Sequence, residues 1–386
     1  MDFDDTPDQK SLREAVAALG RRYGHGYFVG KAKAGGHTTE LWAEAGKLGY
    51  LGVNLPTGYG GGGAGITELS IVAEELAAAG CPLLLIVVSP AIAGTVLARH
   101  GTPEQRRAHL PGIADGSTKV VFAITEPEAG SNFHRLGTIA RRDGGDWLLR
   151  GSKAFISGVD EADLVLVVAR TADEATGKLK PALFLVPTDA PGLSRSPLEM
   201  EITAPERQWL LYLDDVRVPA GALVGESTDA GLPALFAGLN PERIIVAASS
   251  IGTARYALGR AAGYAKGRAV WGRPIGTHQG VAHPLAHAQI QVELARLMVA
   301  KAATYYDTGR ELEAGTAANL AKYAAADAAA LAVDTAIQAM GGNGMTTEYG
   351  VATLLGLTRA MRIAPVSREM ILNYVAQHVL GQDRSY

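Results

Sequence analysis

The run Val120-Val121-Phe122-Ala123-Ile124-Thr125-Glu126-Pro127-Glu128-Ala129-Gly130-Ser131-Asn132 separates two regions of different pattern. Before it, residues 11–119 carry Ala- and Leu-rich segments broken by Gly and Pro. One of them, Leu41-Trp42-Ala43-Glu44-Ala45-Gly46-Lys47-Leu48, has its apolar residues on one helical face. After the run, short β-branched or aromatic stretches alternate with turns such as Asp143-Gly144-Gly145. The run therefore opens a β-rich domain that follows a helical one.

The region before the run contains two further helix signals. Residues 67–79 have helical spacing, and Thr102-Pro103-Glu104-Gln105 combines a Thr cap, a first-position Pro and a Gln that closes a capping box. In the β-rich region no helices fit between the apolar stretches, so the pattern predicts an antiparallel domain rather than a doubly wound sheet. Its predicted strands are Val120–Ile124, Asp146–Arg150, Leu164–Ala169, Ala182–Val186 and Leu210–Val218.

The chain returns to a helical pattern after about Gly225. Asn240-Pro241 is typical of a helix start, and the helix it predicts runs to about Lys266. Later Ala-rich amphipathic segments predict helices at His287–Asp307, Thr316–Met340 and Ser367–Leu380, as expected for a bundle. The sequence thus predicts an α+β protein with a helical N-terminal domain (1–119), a central antiparallel β domain (120–225) and a C-terminal helical bundle (226–386).

Composition excludes several classes of function. The 386 residues carry a net charge of −3 with no basic domain, which argues against nucleic acid as a partner. The most apolar stretch, residues 82–97, is too short and too broken to span a bilayer. The N-terminus lacks the pattern of a signal peptide, so we expect a cytoplasmic protein without membrane insertion. The single cysteine, Cys81, excludes an internal disulfide framework and a multi-cysteine metal site.

Common catalytic and nucleotide motifs are also missing from the sequence. The glycine runs at 60–63 and 341–344 lack the spacing of phosphate loops, and tight turns explain them better. His283 and His287 have Pro284 between them and no third ligand nearby, so we expect no metal site. No Gly-x-Ser-x-Gly nucleophile motif is present.

Five segments in a fixed order carry a more specific signal: 122–132, Gly151-Ser152-Lys153-Ala154-Phe155-Ile156-Ser157-Gly158, Asn240-Pro241-Glu242-Arg243, 268–279, and Gln338-Ala339-Met340-Gly341-Gly342-Asn343-Gly344. Together they resemble the acyl-CoA dehydrogenase family over essentially the whole chain. The resemblance implies helical domains around a β-barrel, with a four-helix bundle as the C-terminal domain. It also implies tightly bound FAD, a dimer or a tetramer, and a role in fatty-acid or lipid metabolism.

The resemblance assigns roles to individual residues. The Thr125 region and Ser131 would flank the pyrimidine end of the flavin, Phe155 would cover one face where Trp is usual, and Ser157 would offer its hydroxyl near N5 where Thr is usual. Arg268 would reach the FAD pyrophosphate of a neighbouring subunit, and Gln279 and residues 338–342 would make other contacts across the subunits. The implied cofactor contacts are Phe122, Ile124, Thr125, Ser131, Phe155, Ile156, Ser157, Arg268, Trp271, Gln279, Gln338, Gly341, Gly342, Ser367 and Glu369, and the implied substrate contacts are Ser131, Asn240 and Arg243.

The alternative for Phe155 and Trp271, taken on their own, is ordinary core packing.

A second open question is the catalytic base. The family's reaction removes an α-proton from an acyl thioester while a hydride passes from the β-carbon to flavin N5. In most members the base is a Glu after the Gly-Gly-x-Gly turn. The matching position here holds Pro365, which also lacks a backbone N–H donor, and Gly356-Leu357 stands where Arg-Asp is usual.

Glu242 matches the base of the isovaleryl- and long-chain-type members, whose carboxylate comes from the first helix of the C-terminal domain. The resemblance therefore implies α-proton abstraction by Glu242, with a branched or bulky acyl group on CoA or on an acyl-carrier protein. The alternative is that Glu242 lies in the first turn of this helix, where its negative charge would interact favourably with the helix dipole. Glu369 is a weaker candidate for the base. Electrons would leave to an electron-transfer flavoprotein.

Two other functions stay open on the sequence alone. The chain could be a catalytically silent subunit of a hetero-oligomeric dehydrogenase, an interpretation that the proline at 365 favours. It could also be an oxygen-using flavoenzyme of the same fold, such as a hydroxylase or nitroalkane oxidase.

Overall fold

The computed structural model describes residues 4–173 and 176–384. The first region is helical, as predicted, and a buried π-helical segment, Val87–Gly94, leads directly into its fourth helix. The capping box is confirmed: the Thr102 hydroxyl accepts from the Gln105 backbone N–H at 3.2 Å, and the Gln105 side-chain oxygen accepts from the Thr102 N–H at 2.9 Å. The helices are α1 (Pro7–Lys33), α2 (Thr39–Lys47), α3 (Ile66–Ala78), α4 (Thr95–His100) and α5 (Pro103–Asp115).

The central region is one curled sheet. Its strands are β1 (Val120–Ala123), β2 (Ile139–Asp143), β3 (Asp146–Ser157), β4 (Leu164–Ala172), β5 (Leu179–Pro187), β6 (Leu193–Leu198) and β7 (Gln208–Val218). The order is β1-β4-β2-β3-β7-β6, and β5 pairs with the other edge of β4. Two of these strands were missed, because β2 carries Arg-Arg-Asp and β6 is rich in Ser, Arg and Pro.

Two parts of the sheet prediction are wrong. The sheet is mixed rather than antiparallel, since β1 and β2 both run parallel to β4. The β2–β3 hairpin lies in sequence between β1 and β4, and a pattern of strands does not reveal such a crossover. The sheet is also a curled half-barrel rather than a closed barrel, because among the described residues no strand pairing joins β6 back to β1 or β5.

The third region contains three long helices that pack on one another through alanine-rich faces. The predicted four-helix bundle stays a prediction. Nowhere in residues 4–173 and 176–384 is a helix both long and apolar enough to cross a membrane. The elements are α6 (Gly231–Gly267), a short hairpin of β8 (Ala269–Val270) and β9 (Arg273–Pro274), α7 (Gln279–Asp307), α8 (Glu311–Met340), α9 (Leu354–Ile363) and α10 (Arg368–His378).

Helix α6 begins at Gly231, so the predicted start at Asn240-Pro241 is wrong. A proline inside a helix leaves the carbonyl four residues earlier without its N–H donor. That carbonyl belongs to Ala237, and the Tyr306 hydroxyl of α7 donates to it at 3.0 Å. The helix therefore continues through Pro241. Glu242 lies eleven residues after Gly231, well beyond the first turn, and the helix-dipole explanation for this carboxylate no longer applies.

Candidate active site

The residues around Thr125 and Phe155 lie side by side on the sheet. The Ala154 N–H donates to the Thr125 carbonyl at 2.9 Å. Beneath this contact the fully buried Lys153 ammonium donates to the Ile124 carbonyl at 3.1 Å and to the Glu126 carboxylate at 2.8 Å. Burying an ammonium is costly unless it is paired, so this ion pair fixes where β1 ends relative to β3.

Phe155 points out of the sheet. Its φ is +58°, in the left-handed region that a non-glycine side chain rarely adopts. The β3–β7 pairing shifts register between Lys153 and Ile156, and this irregularity accommodates the unusual backbone. The ring is 57% exposed although Ala154 and Ile156 are both buried. Core packing is therefore not the role of Phe155, and the strand presents an aromatic face to its surroundings.

Other predicted residues of this region differ in exposure. Phe122 and Ile156 are buried, and Ile124, Thr125 and Ser157 are partly exposed, whereas Ser131 is exposed. The Ser157 hydroxyl donates to the Gln208 side-chain oxygen at 3.0 Å, across the β3–β7 pairing. A hydroxyl whose proton is held in this way keeps its lone pairs free to accept a further hydrogen bond. Gln208 was not predicted from the sequence.

The second set of predicted residues lies on α6. Asn240 is buried, and its side-chain oxygen accepts from the Arg243 guanidinium at 3.1 Å. Glu242 is partly buried, and burial raises the pKa of its carboxyl to about 7, although the positive charges of Arg243 and Lys322 oppose that shift. A carboxyl with a pKa near neutrality suits a general base that works near pH 7.

Lys322 of α8 is a member of this group that the sequence analysis missed. Its side chain is 1% exposed, and its ammonium donates to the Val366 carbonyl at 2.5 Å. Burial lowers the pKa of Lys322 to about 8, and the negative charge of Glu242 counteracts this. A signal was present in the sequence, since Lys322 falls on the same helical face as Ala318, Ala325 and Ala329, where an alanine would be expected.

The segment that joins α9 to α10 holds no buried carboxyl. Pro365 is partly exposed, and Glu369, in the first turn of α10, is exposed. The Ser367 hydroxyl accepts from the Met370 N–H at 3.2 Å and thereby caps α10. Packing favours a glycine at position 356, because a Cβ there would lie 2.4 Å from the Glu201 carbonyl oxygen.

The remaining predicted residues form a separate group at the far end of α6. Trp271 has a φ of +51° and is 88% exposed, so core packing is excluded for it as well. Arg268 borders a cavity of about 470 Å³ together with Asn343, next to the turn that follows α8. From Glu242 to Arg268 the chain advances 26 residues, or roughly 39 Å along a helix. The members of this group are all exposed: Arg268, Trp271, Gln279, Gln338, Gly341 and Gly342.

Comparison with known proteins matches all three regions to one family. Models of the N-terminal, middle and C-terminal domains of acyl-CoA dehydrogenase match residues 6–117, 121–216 and 229–380. The chain is 61% identical over 384 residues to acyl-CoA dehydrogenase FadE12 of Mycobacterium tuberculosis (strain ATCC 25618 / H37Rv), covering 100% of this chain and 99% of that protein. The chain belongs to the acyl-CoA dehydrogenase family.

Solved structures of this family have the same fold. A glutaryl-CoA dehydrogenase in complex with glutaryl-CoA superimposes with a TM-score of 0.94 at 28% identity, covering 100% of this chain and 98% of that one. A glutaryl-CoA dehydrogenase from Mycobacterium smegmatis in complex with FADH2 gives a TM-score of 0.90 at 26% identity, covering 99% and 96%. The chain is accordingly an oxidoreductase, an acyl-CoA dehydrogenase, and its cofactor is FAD.

The residues of the sheet are chemically suited to a flavin. An isoalloxazine ring needs an aromatic or apolar surface on one face and polar groups at its nitrogen and oxygen atoms. The exposed Phe155 ring is of a type that can provide such a surface, and the neighbouring Ser157 hydroxyl can accept from an N–H group. The Lys153–Glu126 pair below them holds both strands in place.

Proposed function

We propose that this acyl-CoA dehydrogenase carries out FAD-dependent α,β-dehydrogenation of an acyl thioester, with Glu242 as the base that removes the α-proton. The observation that carries the proposal is the partly buried Glu242 carboxyl, raised in pKa to about 7, while the segment 363–369 offers only an exposed carboxyl at Glu369. A base must be ionised near the working pH and must still gain by accepting a proton, and Glu242 meets both conditions.

Different residues of the chain have different roles in this reaction. Glu242 takes the α-proton and holds it as a neutral carboxylic acid. Asn240, Arg243 and Ser131 contact the thioester substrate, and Phe155, Ser157 and the end of β1 hold the flavin ring. FAD, when bound, accepts the hydride that leaves the β-carbon. Because a proton and a hydride leave together, the product is an α,β-unsaturated thioester.

We also propose a homo-oligomer, either a dimer or a tetramer, in which one chain completes the FAD site of another. Arg268 lies roughly 39 Å from Glu242 along α6, which is longer than an FAD molecule. The residues at that end of α6 would therefore contact the cofactor of a neighbouring subunit. An apolar stripe on α7, made of the exposed residues Ile290, Leu294 and Leu297 at helical spacing, supports such an interface.

The substrate and the electron acceptor follow from the family resemblance. A base on the first helix of the C-terminal domain accompanies branched or bulky acyl groups, so we propose such a group, carried by CoA or by an acyl-carrier protein. Electrons would pass to an electron-transfer flavoprotein.

The competing function is a silent subunit of a hetero-oligomer, which the proline at position 365 favours.

The test is anaerobic mixing of the FAD-loaded enzyme with a panel of straight and branched acyl-CoAs. We expect the flavin absorbance of the wild type to bleach, and Glu242→Gln to slow this by about 10²- to 10⁴-fold. Glu206→Gln is the matched control, because burial also raises the pKa of Glu206 to about 7. Equal bleaching by wild type and Glu242→Gln would refute the assignment of the base, and loss of bleaching in Glu369→Gln alone would transfer the role to Glu369.

The same preparation separates the other two functions. A silent subunit would yield a yellow, homogeneous oligomer that no acyl-CoA bleaches. An oxygen-using flavoenzyme would be reoxidised rapidly when air is admitted after reduction, whereas a dehydrogenase that serves an electron-transfer flavoprotein would stay reduced.

A further inference from the structure

The segment between β1 and β2 contains an exposed loop with buried ends. Residues 130–135 are exposed or partly exposed, and Ser131, a proposed substrate contact, is one of them. On either side of this stretch, Ala129 and Leu136 are each 1% exposed. Glu126 and Ala129 exchange two backbone hydrogen bonds of 3.1 Å, which fix the first turn of the loop. The loop therefore presents Ser131 to its surroundings from two buried ends.

One carboxylate holds both ends of this loop, which comprises residues 127–136. The Glu126 carboxylate accepts hydrogen bonds from the backbone N–H groups of Gly137 at 2.5 Å and Thr138 at 3.0 Å. It also accepts from the Lys153 ammonium at 2.8 Å. Glu126 is 7% exposed, and Lys153 and Thr138 are fully buried. Since Glu126 directly precedes the loop and Gly137 directly follows it, these contacts close the loop at its base.

The nature of the donors explains why a carboxylate occupies this position. An ionised carboxylate has two oxygen atoms that only accept, so two N–H groups and an ammonium can all donate to it. A glutamine amide has nearly the same shape but one oxygen, and its NH2 group would face one of these donors. Hydrogen bonds to a charged group are also stronger than neutral ones, so the closure depends on the carboxylate being ionised.

The middle of the loop contacts the helix that carries the proposed base. The Phe133 ring meets the Phe236 ring of α6 edge to face, with the ring centroids 6.5 Å apart and the ring planes at 85°. Phe236 precedes Asn240 by four residues, so both lie on one face of α6. The loop thus joins the sheet, whose residues are proposed to hold the flavin, to the helix whose residues are proposed to contact the substrate.

We propose that Glu126 is a positioning residue for the acyl thioester. By closing the loop 127–136 beside the buried Lys153 ammonium, its carboxylate holds Ser131 at a fixed place between the sheet and α6. Binding is tighter when the loop is already ordered, because the substrate does not have to order it. The inference rests on the proposed function, since it requires Ser131 to contact the substrate.

The experiment titrates FAD-loaded wild type and Glu126→Gln with an acyl-CoA that bleaches the wild-type flavin. It separates the apparent dissociation constant of the acyl-CoA from the limiting rate of flavin reduction. We expect Glu126→Gln to raise the dissociation constant by about three- to tenfold, as for the loss of one hydrogen bond. The limiting rate should stay within about twofold of wild type, because only binding is weakened. An unchanged dissociation constant in the folded, FAD-loaded variant would overturn the inference.

A double-mutant cycle with Ser131→Ala shows whether Glu126 acts through the loop. Ser131→Ala should raise the dissociation constant by a factor similar to that of Glu126→Gln. The double variant should bind no more weakly than the weaker single variant, because both changes remove the same interaction. Strictly additive losses would assign Glu126 a structural role only and would overturn the inference.

Glu161→Gln is the matched control. The Glu161 side chain is 5% exposed and pairs with Lys119, so the variant also breaks a buried ion pair of the central region. This carboxylate does not hold the loop, and we expect the dissociation constant to stay within about twofold of wild type. A rise equal to that of Glu126→Gln would show that the loss of any such pair weakens binding, against the inference.

Hydrogen exchange tests the closure of the loop without substrate. In the FAD-loaded wild type, the amides of Gly137 and Thr138 should exchange slowly, because both donate to the carboxylate. Glu126→Gln should speed the exchange of at least one of them by roughly tenfold. Equal exchange in the two proteins would show that the carboxylate does not hold the loop.

A second variant covers the case in which Glu126→Gln does not fold because the Lys153 ammonium has lost its partner. Glu126→Gln/Lys153→Met removes that charge together with the carboxylate, so this variant should fold. It should still bind the acyl-CoA about three- to tenfold more weakly than wild type, because the amide cannot satisfy both N–H groups. Binding as tight as in wild type would overturn the inference.

The two proposals fail in different ways. If Glu242→Gln is reduced as fast as wild type, the base is wrong, whereas the role of Glu126 is decided by the dissociation constants. If Glu242→Gln is slow but Glu126→Gln binds like wild type, only the role of Glu126 is wrong. If no acyl-CoA bleaches the wild type, the proposed function fails and the positioning role fails with it.

Discussion

Glu206 and Glu242 are two carboxyls with the same direction of pKa shift and opposite surroundings. Burial raises the pKa of each to about 7. Glu206 accepts from the Leu84 N–H at 3.0 Å and faces the like charge of Glu161, whereas Glu242 faces Arg243 and Lys322. A raised pKa alone therefore does not identify a catalytic base. A base also needs neighbours that hold its ionised form and an opening toward substrate.

The largest expected difference between the two carboxyls follows from shortening each side chain by one methylene. Glu242→Asp withdraws the carboxylate from the α-proton, and a displacement of about 1 Å in a catalytic group costs roughly 10²-fold in rate. Glu206→Asp should leave the rate of flavin reduction within about twofold of wild type, a change of less than 0.5 kcal/mol in the barrier. Stopped-flow reduction by a good acyl-CoA measures both. Similar losses in the two variants would show that both carboxyls serve the chemistry or that neither does.

The dependence of stability on pH should show what the two carboxyls have in common. Each carboxyl has an ordinary pKa of 4.5 when unfolded and about 7 when folded, so between these values the native state binds more protons. The free energy of unfolding therefore falls as pH rises from 4.5 to 7.

Glu206→Gln and Glu242→Gln should remove this loss. We expect each variant to be more stable than wild type by about 1–3 kcal/mol at pH 8, with the gain vanishing near pH 4.5. The two gains should be similar, because both folded pKa values are about 7 and the value for Glu242 already includes the effect of its neighbouring cations. Urea unfolding at both pH values measures the gain, and a stability difference that does not change with pH would contradict the raised pKa of that carboxyl.

Salt should produce the smallest effect. Because Glu242 is only partly buried, 1 M KCl should weaken the attraction of its two cations and raise the pH midpoint of flavin reduction by about 0.2–0.5 pH units. Glu206 is 3% exposed, so the stability difference between wild type and Glu206→Gln should not respond to salt. pH profiles at 0.05 and 1 M KCl, together with unfolding curves of both proteins, provide the measurement.

Local signals in the sequence were sufficient for local structure. The Thr102 capping box, the start of β1 at Val120 and the last turn of α8 at Met340 all depend on a few neighbouring residues, and the structure has them where they were expected. The family resemblance added Glu242, which composition and periodicity had not distinguished from an ordinary helix-terminal acid.

Features that depend on distant residues could not be predicted. The Asn240-Pro241 pair is typical of a helix start when only its neighbours are considered. The helix continues through Pro241 because Tyr306, 65 residues later, supplies the hydrogen-bond donor that Pro241 lacks. The parallel pairing of β1 with β4 has no local signature, and neither has the positive φ of Phe155. The burial of Lys322 depends on the packing of α8 against α6, which the sequence of α8 alone does not show.

The length of α6 has a genetic consequence. If Glu242 serves the site of its own chain while Arg268 completes that of a neighbour, two different inactive proteins should restore each other. In a mixed dimer of Glu242→Gln and Arg268→Ala chains, one site carries both defects and the other carries neither. Two loss-of-function alleles of this single gene would then complement each other, because each chain supplies the residue that is replaced in the other.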